Sequence, residues 1–126
     1  MKISALCLLT LSALVFAAFT PVSAHHGPAE YDTSTQTALK GTITDFEFMN
    51  PHSVIFFDVK DDAGNTQKWS AEALSATSMV RQGWSKTMMK AGDQVTIIGN
   101  ISKNGSHAMR LNKIVLASGK EMAIEY

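Results

Sequence analysis

Cysteine is almost absent from this chain of 126 residues, because Cys7 is the single thiol and it lies inside an apolar amino-terminal segment. Lipid attachment at Cys7 is disfavoured, since the residue before it is Leu6 rather than a small one. Once the segment is removed, the disulfide framework that stabilises many small secreted domains is excluded. We therefore expect one small domain that is stabilised by hydrophobic packing.

An excess of charge of either sign is lacking as well, because eleven Lys and Arg stand against eleven Asp and Glu. Without Lys2, which belongs to the amino-terminal segment, ten basic residues face eleven acidic ones, and the net charge is near minus one. A neutral chain with scattered charges has no long-range attraction for nucleic acid or anionic lipid. The charge therefore argues against a nucleic-acid partner.

Long apolar runs are confined to the amino terminus, where residues 3–19 follow a single positive charge. Val22 and Ala24 then precede His25 at the positions where a signal peptidase needs small residues. This pattern predicts an export signal over residues 1–24, cleavage before His25, and a periplasmic or secreted domain without a membrane span. An uncleaved anchor is the alternative, although seventeen residues are short for a span of about 20.

Residues 25–38 show neither the helical nor the strand period, and they predict a flexible, loosely held amino-terminal arm. The alternating pattern that follows is typical of β-strands. Its apolar face changes phase between Ile43 and Phe46, which indicates a bulge near residues 44–45. The chain after the signal is thus expected to consist of the arm and a single β-barrel domain over residues 39–126.

Turn residues separate five or six predicted strands in this β domain. Three strands come first, followed by a short helix that Ser75 caps and Gly83 ends, and then by two strands and a short final one from Met122. This order predicts an all-β fold with one short helix, a five- to six-stranded Greek-key barrel that resembles the oligonucleotide/oligosaccharide-binding fold. A β-sandwich is the alternative, and it leaves the helix unexplained.

Short motifs are spread over the whole chain after the predicted signal. They are His25-His26-Gly27, Leu39-Lys40-Gly41-Thr42-Ile43, Asn50-Pro51-His52, Trp69 with Glu72, Arg81-Gln82-Gly83-Trp84, Lys90-Ala91-Gly92-Asp93-Gln94-Val95 and Lys103-Asn104-Gly105-Ser106. In combination they resemble a family of small exported bacterial proteins known only as a domain of unknown function. The resemblance implies an exported β-barrel domain and supplies no activity.

Histidine and methionine supply a hypothesis of metal binding, with copper as the candidate cofactor. The amine and ring of a terminal His25 chelate divalent ions, and His26 adds another nitrogen. His107 and Met109 lie two apart on a predicted strand, so both point the same way and suit Cu(I) or Ag(I). The alternative is that the first pair is merely tolerated beside a cleavage site and that Met109 fills the core.

A second group of residues predicts a ligand groove that combines aromatic faces with a few polar groups. Its members are Asn50, His52, Trp69, Glu72 and Trp84. Two tryptophans also suit the core of a small barrel, and a histidine beside a proline suits a turn. Both interpretations stay open on the sequence alone.

Enzymatic activity is not expected, because no nucleophile elbow, zinc-protease helix, paired-carboxylate motif or phosphate-binding glycine loop occurs in the sequence. The sequence predicts an exported, non-enzymatic binding or interaction domain. Its partner would be a small ligand, a metal or a periplasmic protein. The alternative function is a periplasmic protein that binds copper or silver.

Overall fold

Six β-strands and one short α-helix make up the part of the chain that this computed structural model describes, residues 27–126. The predicted signal and the His25-His26 pair lie outside the described residues. The elements are β1 (Thr37–Glu47), β2 (Val54–Lys60), β3 (Thr66–Glu72), α1 (Ala76–Arg81), β4 (Gln94–Ile101), β5 (Ala108–Val115) and β6 (Glu121–Ala123). In this part of the chain, no helix has the length and the apolar character that crossing a membrane requires.

The first five strands close into a barrel. Neighbouring strands run antiparallel in the order β3-β2-β1-β4-β5, and a parallel pairing of β3 with β5 joins the two ends. β6 pairs with β5 as an extra strand, and α1 lies in the connection between β3 and β4. This architecture confirms the fold class that the order of strands and helix predicts.

Two bulges curl the strands around the barrel. On β1, Ile43 pairs with Phe57 whereas Asp45 pairs with Phe56, so Thr44 is the extra residue. This register shift lies where the phase change of the apolar face predicts it. A bulge increases the local twist, which is the deformation that a small closed barrel needs.

A second bulge lies on β5, where the buried positions change parity between Leu111 and Ile114. Leu111 pairs with Gly99 and Lys113 pairs with Ile98, which leaves Asn112 between them. Gly99 is needed here, because a Cβ atom at this position would lie 2.1 Å from the Arg110 carbonyl oxygen.

The helix begins and ends where its capping residues predict. The hydroxyl of Ser75 accepts a hydrogen bond from the Ser78 amide at 3.2 Å, and Gly83 follows the helix with a φ of +87°. The helix buries Met79 in the core. Trp84 then packs into the same core with 2% of its surface exposed.

The segment before β1 differs from the expectation of a loosely held arm. Tyr31 is only 7% exposed, and its backbone pairs with that of Ser102. The Asp32 amide donates to the Ile101 carbonyl at 2.9 Å. The described residues 27–36 are therefore attached to the barrel near the end of β4.

A buried side chain completes this attachment. The amide nitrogen of Asn100, on β4, donates to the carbonyls of Asp32 at 3.0 Å and Thr35 at 2.9 Å. Its oxygen accepts a hydrogen bond from Asn112 at 2.7 Å. Hydrogen bonds of this kind leave no hydrophobic period in the sequence, which is why the pattern indicated a loose segment. The strand itself begins at Thr37.

Candidate functional site

A carboxylate at the end of β3 joins three distant parts of the chain. Glu72 accepts a hydrogen bond from the Tyr31 hydroxyl through Oε2 at 3.1 Å. Its other oxygen, Oε1, lies 3.3 Å from Nδ1 of His52 in the β1–β2 loop. The Glu72 side chain is 26% exposed and that of His52 is 57% exposed, so the pair faces an opening to solvent.

Two cavities adjoin this cluster, which we call the Glu72 cluster (Tyr31, His52 and Glu72). The smaller one measures about 130 Å³, and its walls include the whole cluster together with Gly27, Arg110 and Tyr126. The second measures about 230 Å³ and shares Tyr31 and Glu72 with the first. It extends over Val54 and Phe56 of β2, Ser70 of β3, and Ser102, Asn104 and Ser106 of the β4–β5 loop.

The folding of the β1–β2 loop places His52 beside Glu72. The backbone of Ser53 exchanges hydrogen bonds with the segment after β3, since its amide donates to the Leu74 carbonyl and its carbonyl accepts from the Ala73 amide, both at 2.9 Å. His52 is thereby held next to the end of β3. Its Nδ1 also lies 3.4 Å from the Ala73 carbonyl oxygen.

Asn50, a predicted ligand residue, has a different role in this loop. Its Oδ1 accepts a hydrogen bond from the Thr77 amide at 3.2 Å, and its Nδ2 contacts the Thr77 hydroxyl at 3.2 Å. The peptide bond between Asn50 and Pro51 is cis. Asn50 therefore connects the loop to the first turn of α1, and it does not line either cavity beside Glu72.

An arginine and a second tyrosine form the other wall of the smaller cavity. Arg110 is the direct partner of Glu72 in the parallel β3–β5 pairing. Its guanidinium carbon lies 3.4 Å from the centroid of the Tyr126 ring, a cation–π contact that holds the charge in place. The Tyr126 hydroxyl donates to the Leu111 carbonyl at 2.6 Å.

Both tyrosines are kept neutral by their surroundings. Burial raises the pKa of the Tyr31 hydroxyl far above its usual range, and the negative charge of Glu72 adds to the shift. Tyr126 as a whole is 54% exposed, but its hydroxyl is partly buried, and this burial raises its pKa to about 12, although the positive charge of Arg110 acts in the opposite direction. The two hydroxyls are therefore hydrogen-bond donors at any physiological pH.

The two tryptophans of the predicted groove lie away from the Glu72 cluster. Trp84 is buried, and its Nε1 donates to the Ala123 carbonyl at 3.3 Å, so it belongs to the core. Trp69 stacks between Phe57 and His107, with ring centroids 6.4 Å and 4.8 Å away. Of the predicted ligand residues, the structure brings only His52 and Glu72 together.

The predicted metal residues are distributed over different environments. His107 is exposed and stacks on Trp69 at an interplanar angle of 17°, whereas Met109 has none of its surface exposed. His25 and His26 lie outside the described residues. Within residues 27–126, no group of three or more His, Cys, Asp or Glu side chains is close enough to hold a metal ion.

Three residues of the site were not predicted from the sequence: Tyr31, Arg110 and Tyr126. Tyr31 lies in a segment without a hydrophobic period, and Tyr126 lies beyond the last predicted strand. For the tyrosines, the one available signal was compositional, because Tyr31 and Tyr126 are the only two tyrosines of the chain. Arg110 alternates with buried residues on β5, which indicates a position on the outer face.

A larger cavity of about 550 Å³ lies elsewhere on the barrel, between Lys40, Lys60, Gln94 and Thr96. It is open to solvent, and two of its three charged side chains, Asp58 and Lys60, are engaged with their strand neighbours. Asp58 pairs with Lys68 at 3.4 Å, and Lys60 donates to the Thr66 hydroxyl at 2.9 Å. These are ordinary surface interactions, so we place the candidate site at the Glu72 cluster.

Comparisons with known proteins identify a family and a distant structural likeness. The model of DUF6152, a family of unknown function, matches residues 13–110. No curated protein matches the chain. Among solved structures, the ZRD-deleted mutant of TiaS in complex with agmatine is 20% identical over 75% of this chain, with a TM-score of 0.49. Apo TiaS (tRNAIle2 agmatidine synthetase) is 20% identical over 68%, with a TM-score of 0.43.

The matched region is a small part of those structures. This chain spans 24% of the first TiaS chain and 18% of the second. A likeness of this extent says nothing about the activity of the present chain.

Proposed function

Because this chain belongs to DUF6152, a family of unknown function, its function has to be inferred from its own side chains, and we propose that it is an exported, non-enzymatic binding domain. Its ligand is a small molecule or ion that contacts Glu72. The observation that carries this proposal is the position of the Glu72 cluster between two adjoining cavities.

The location of these cavities on the barrel supports the proposal. The cavity of about 230 Å³ lies over the β2–β3 face and is bordered by the β4–β5 loop, which contributes Ser106. The smaller cavity lies at the end of β3, beside His52 of the β1–β2 loop. Barrels of the oligonucleotide/oligosaccharide-binding type use this same face and these loops to bind their ligands. The cavities also combine apolar walls, such as Phe56 and Leu74, with a few polar groups, as binding sites for small molecules do.

The fixed arrangement of the charged groups suits the recognition of a ligand. Both oxygens of Glu72 are engaged, one by a tyrosine and the other by a histidine. Arg110 is held over the Tyr126 ring. Groups that are already oriented by their neighbours recognise a ligand at a low entropic cost. We therefore assign them to recognition and propose no reaction.

Export is supported by the sequence before the described part. Cleavage after Ala24 makes His25 the new amino terminus, two residues before Gly27. Gly27 lines the smaller cavity. The predicted cleavage site is therefore close in sequence to Gly27, one of the residues that line the candidate site.

Native mass spectrometry of the chain purified from the compartment it reaches tests this proposal. The wild-type protein should retain a non-covalent species, and Glu72→Gln should lose it, because the amide keeps the shape of the carboxylate without its charge. Glu121→Gln is the matched control, since Glu121 is an exposed partner of Lys113 at 3.3 Å on the far strand β6. An unliganded wild-type protein, or equal retention in both variants, contradicts the proposal.

A further inference from the structure

Glu72 and Arg110 carry opposite charges on neighbouring strands, yet they form no ion pair with each other. They are direct partners in the parallel β3–β5 pairing, and such partners project their side chains on the same face of a sheet, about 5 Å apart. Asp58 and Lys68 are direct partners between β2 and β3, and they do form an ion pair, at 3.4 Å. Among residues 27–126, Arg110 has no carboxylate as an ion-pair partner. The sheet therefore brings two opposite charges together without pairing them.

Each of these two side chains contacts a tyrosine instead. The Tyr31 hydroxyl donates to Glu72 Oε2 at 3.1 Å. The guanidinium carbon of Arg110 lies 3.4 Å from the centroid of the Tyr126 ring. All four side chains line the cavity of about 130 Å³. The lining of this cavity therefore contains one oriented negative charge and one oriented positive charge.

We propose that this cavity binds a small zwitterion of the amino-acid type, whose carboxylate pairs with Arg110 and whose ammonium group pairs with Glu72. This inference rests on the proposed binding function and names the class of its ligand. A ligand with both charges finds an opposite charge at each end. An anion alone would be repelled by Glu72 and a cation alone by Arg110, and such like-charge contacts oppose binding.

Arg110 has the donors that recognition of a carboxylate needs. A guanidinium group is a planar fork, and the N–H groups around its edge match the two oxygens of a carboxylate. The Tyr126 ring covers one face of this plane and fixes its position. Arg110 is also half-buried, and a charge that is partly removed from water interacts more strongly with its partner.

Glu72 has acceptor positions left for an ammonium group. An ionised carboxylate offers about four of them on its two oxygens. Within the described part of the chain, Oε2 receives the Tyr31 hydroxyl, and Oε1 has its contact with His52 Nδ1 at 3.3 Å. A charge-assisted hydrogen bond measures about 2.7 to 2.9 Å, so the contact with His52 is a weak one. Oε1 is therefore the atom that binds the ammonium group.

The size of the cavity limits the ligand. Sites for drug-sized molecules measure about 300 to 1,000 Å³, whereas this cavity measures about 130 Å³. Ala73 and Leu74 add a short apolar wall. The ligand therefore consists of the two charged groups and a short aliphatic part between or beside them.

Calorimetric titration of the processed chain with probes of different charge tests the ligand class. The zwitterionic probes are glycine, β-alanine and 4-aminobutanoate, and the probes with a single charge are acetate and propylamine. We expect a zwitterion to bind at one equivalent and about 10-fold or more tightly than either single-charge probe, because only the zwitterion forms both charged contacts. The inference is overturned if no zwitterion binds, or if acetate or propylamine binds as tightly.

Exchange of each charged residue for its neutral analogue tests the two contacts. Arg110→Gln and Glu72→Gln should each weaken zwitterion binding by about 10-fold or more. Lys113→Gln and Glu121→Gln are the matched controls, because these residues form an ion pair of their own at 3.3 Å between β5 and β6. Both controls should leave the affinity unchanged, and a loss equal to that of the site variants would overturn the inference.

A gain of affinity for the single-charge probes separates the loss of a contact from misfolding. Arg110→Gln should bind propylamine several-fold more tightly than the wild-type chain does, and Glu72→Gln should do the same for acetate, since each substitution removes a repulsion. The inference is overturned if neither variant shows this gain. A natively retained ligand that Glu72→Gln abolishes and Arg110→Gln does not would overturn the zwitterion and leave the binding function standing.

Discussion

Tyr31 and Glu72, which are 41 residues apart in the sequence, are joined by a hydrogen bond of 3.1 Å from the tyrosine hydroxyl to the carboxylate. The bond connects the segment before β1 to the end of β3. It also fixes which oxygen of Glu72 faces His52. The candidate site therefore depends on a part of the chain that lies outside the barrel strands.

Removal of this hydrogen bond should lower the stability of the fold. Tyr31→Phe leaves the ring in place and removes only the donor, so we expect the free energy of unfolding in urea to fall by about 1 to 2 kcal/mol. Ser34→Ala is the control, because the Ser34 hydroxyl bonds Asp32 at the exposed surface and such changes stay within about 0.5 kcal/mol. Equal effects of the two substitutions would show that the Tyr31–Glu72 bond contributes nothing.

The tyrosines should titrate at unusually high pH in the folded protein. Tyr31 and Tyr126 are the only tyrosines of the chain, so tyrosinate absorbance reports on them alone. Burial raises the pKa of both hydroxyls, that of Tyr126 to about 12 and that of Tyr31 further. We expect little tyrosinate at pH values near the ordinary tyrosine pKa of about 10, and a midpoint near that value once urea unfolds the chain. Equal midpoints in the two conditions would contradict the burial of both hydroxyls.

The same shifts set the direction in which stability changes with pH. Above about pH 10 the unfolded chain loses its tyrosine protons while the folded chain keeps them, so the unfolded state binds fewer protons and the free energy of unfolding falls as pH rises. The stabilisation that the two tyrosine protons provide is fully present below about pH 10. It is lost as the pH rises towards the pKa values of Tyr31 and Tyr126 in the folded chain. Tyr31→Phe should therefore reduce the steepness of the alkaline fall.

Asn100 should control the attachment of the amino-terminal segment. Asn100→Ala removes the donors to the carbonyls of Asp32 and Thr35, so amide hydrogen exchange in residues 31–36 should become faster than in the wild-type protein. Asn112→Ala is the matched control, because it removes only the bond to the Asn100 oxygen and leaves the attachment in place. Exchange that is equally fast in both variants would contradict the assigned role.

Processing should expose His25. Amino-terminal sequencing of the exported protein is expected to begin at this residue, because Val22 and Ala24 are small residues at the two positions that the peptidase reads. Ala24→Arg should block cleavage and leave the chain intact from Met1. A wild-type chain that still begins at Met1 would contradict the proposed export.

The fold was largely predictable because its signals are local. The phase change between Ile43 and Phe46 indicated the bulge at Thr44, and Ser75 and Gly83 marked the two ends of the helix. Each of these signals depends on a few neighbouring residues and on the periodicity of the strand or the helix. The order of such elements was then sufficient to indicate a closed barrel.

The site was less predictable because it depends on the closure of the barrel. Arg110 becomes the neighbour of Glu72 only through the parallel pairing of β3 and β5, and no local pattern encodes that register. Tyr31 reaches Glu72 because its backbone pairs with Ser102 and Asn100 holds the segment that follows it. Residue type alone also could not separate a core tryptophan such as Trp84 from one that lines a ligand site.

A crystal structure of the processed protein, purified from its own compartment without an affinity tag or added metal, tests the central claim most directly. The account predicts electron density for a bound ligand in contact with Glu72. Density at Glu72 that is fully explained by water, with a ligand bound at another face of the barrel, would contradict it.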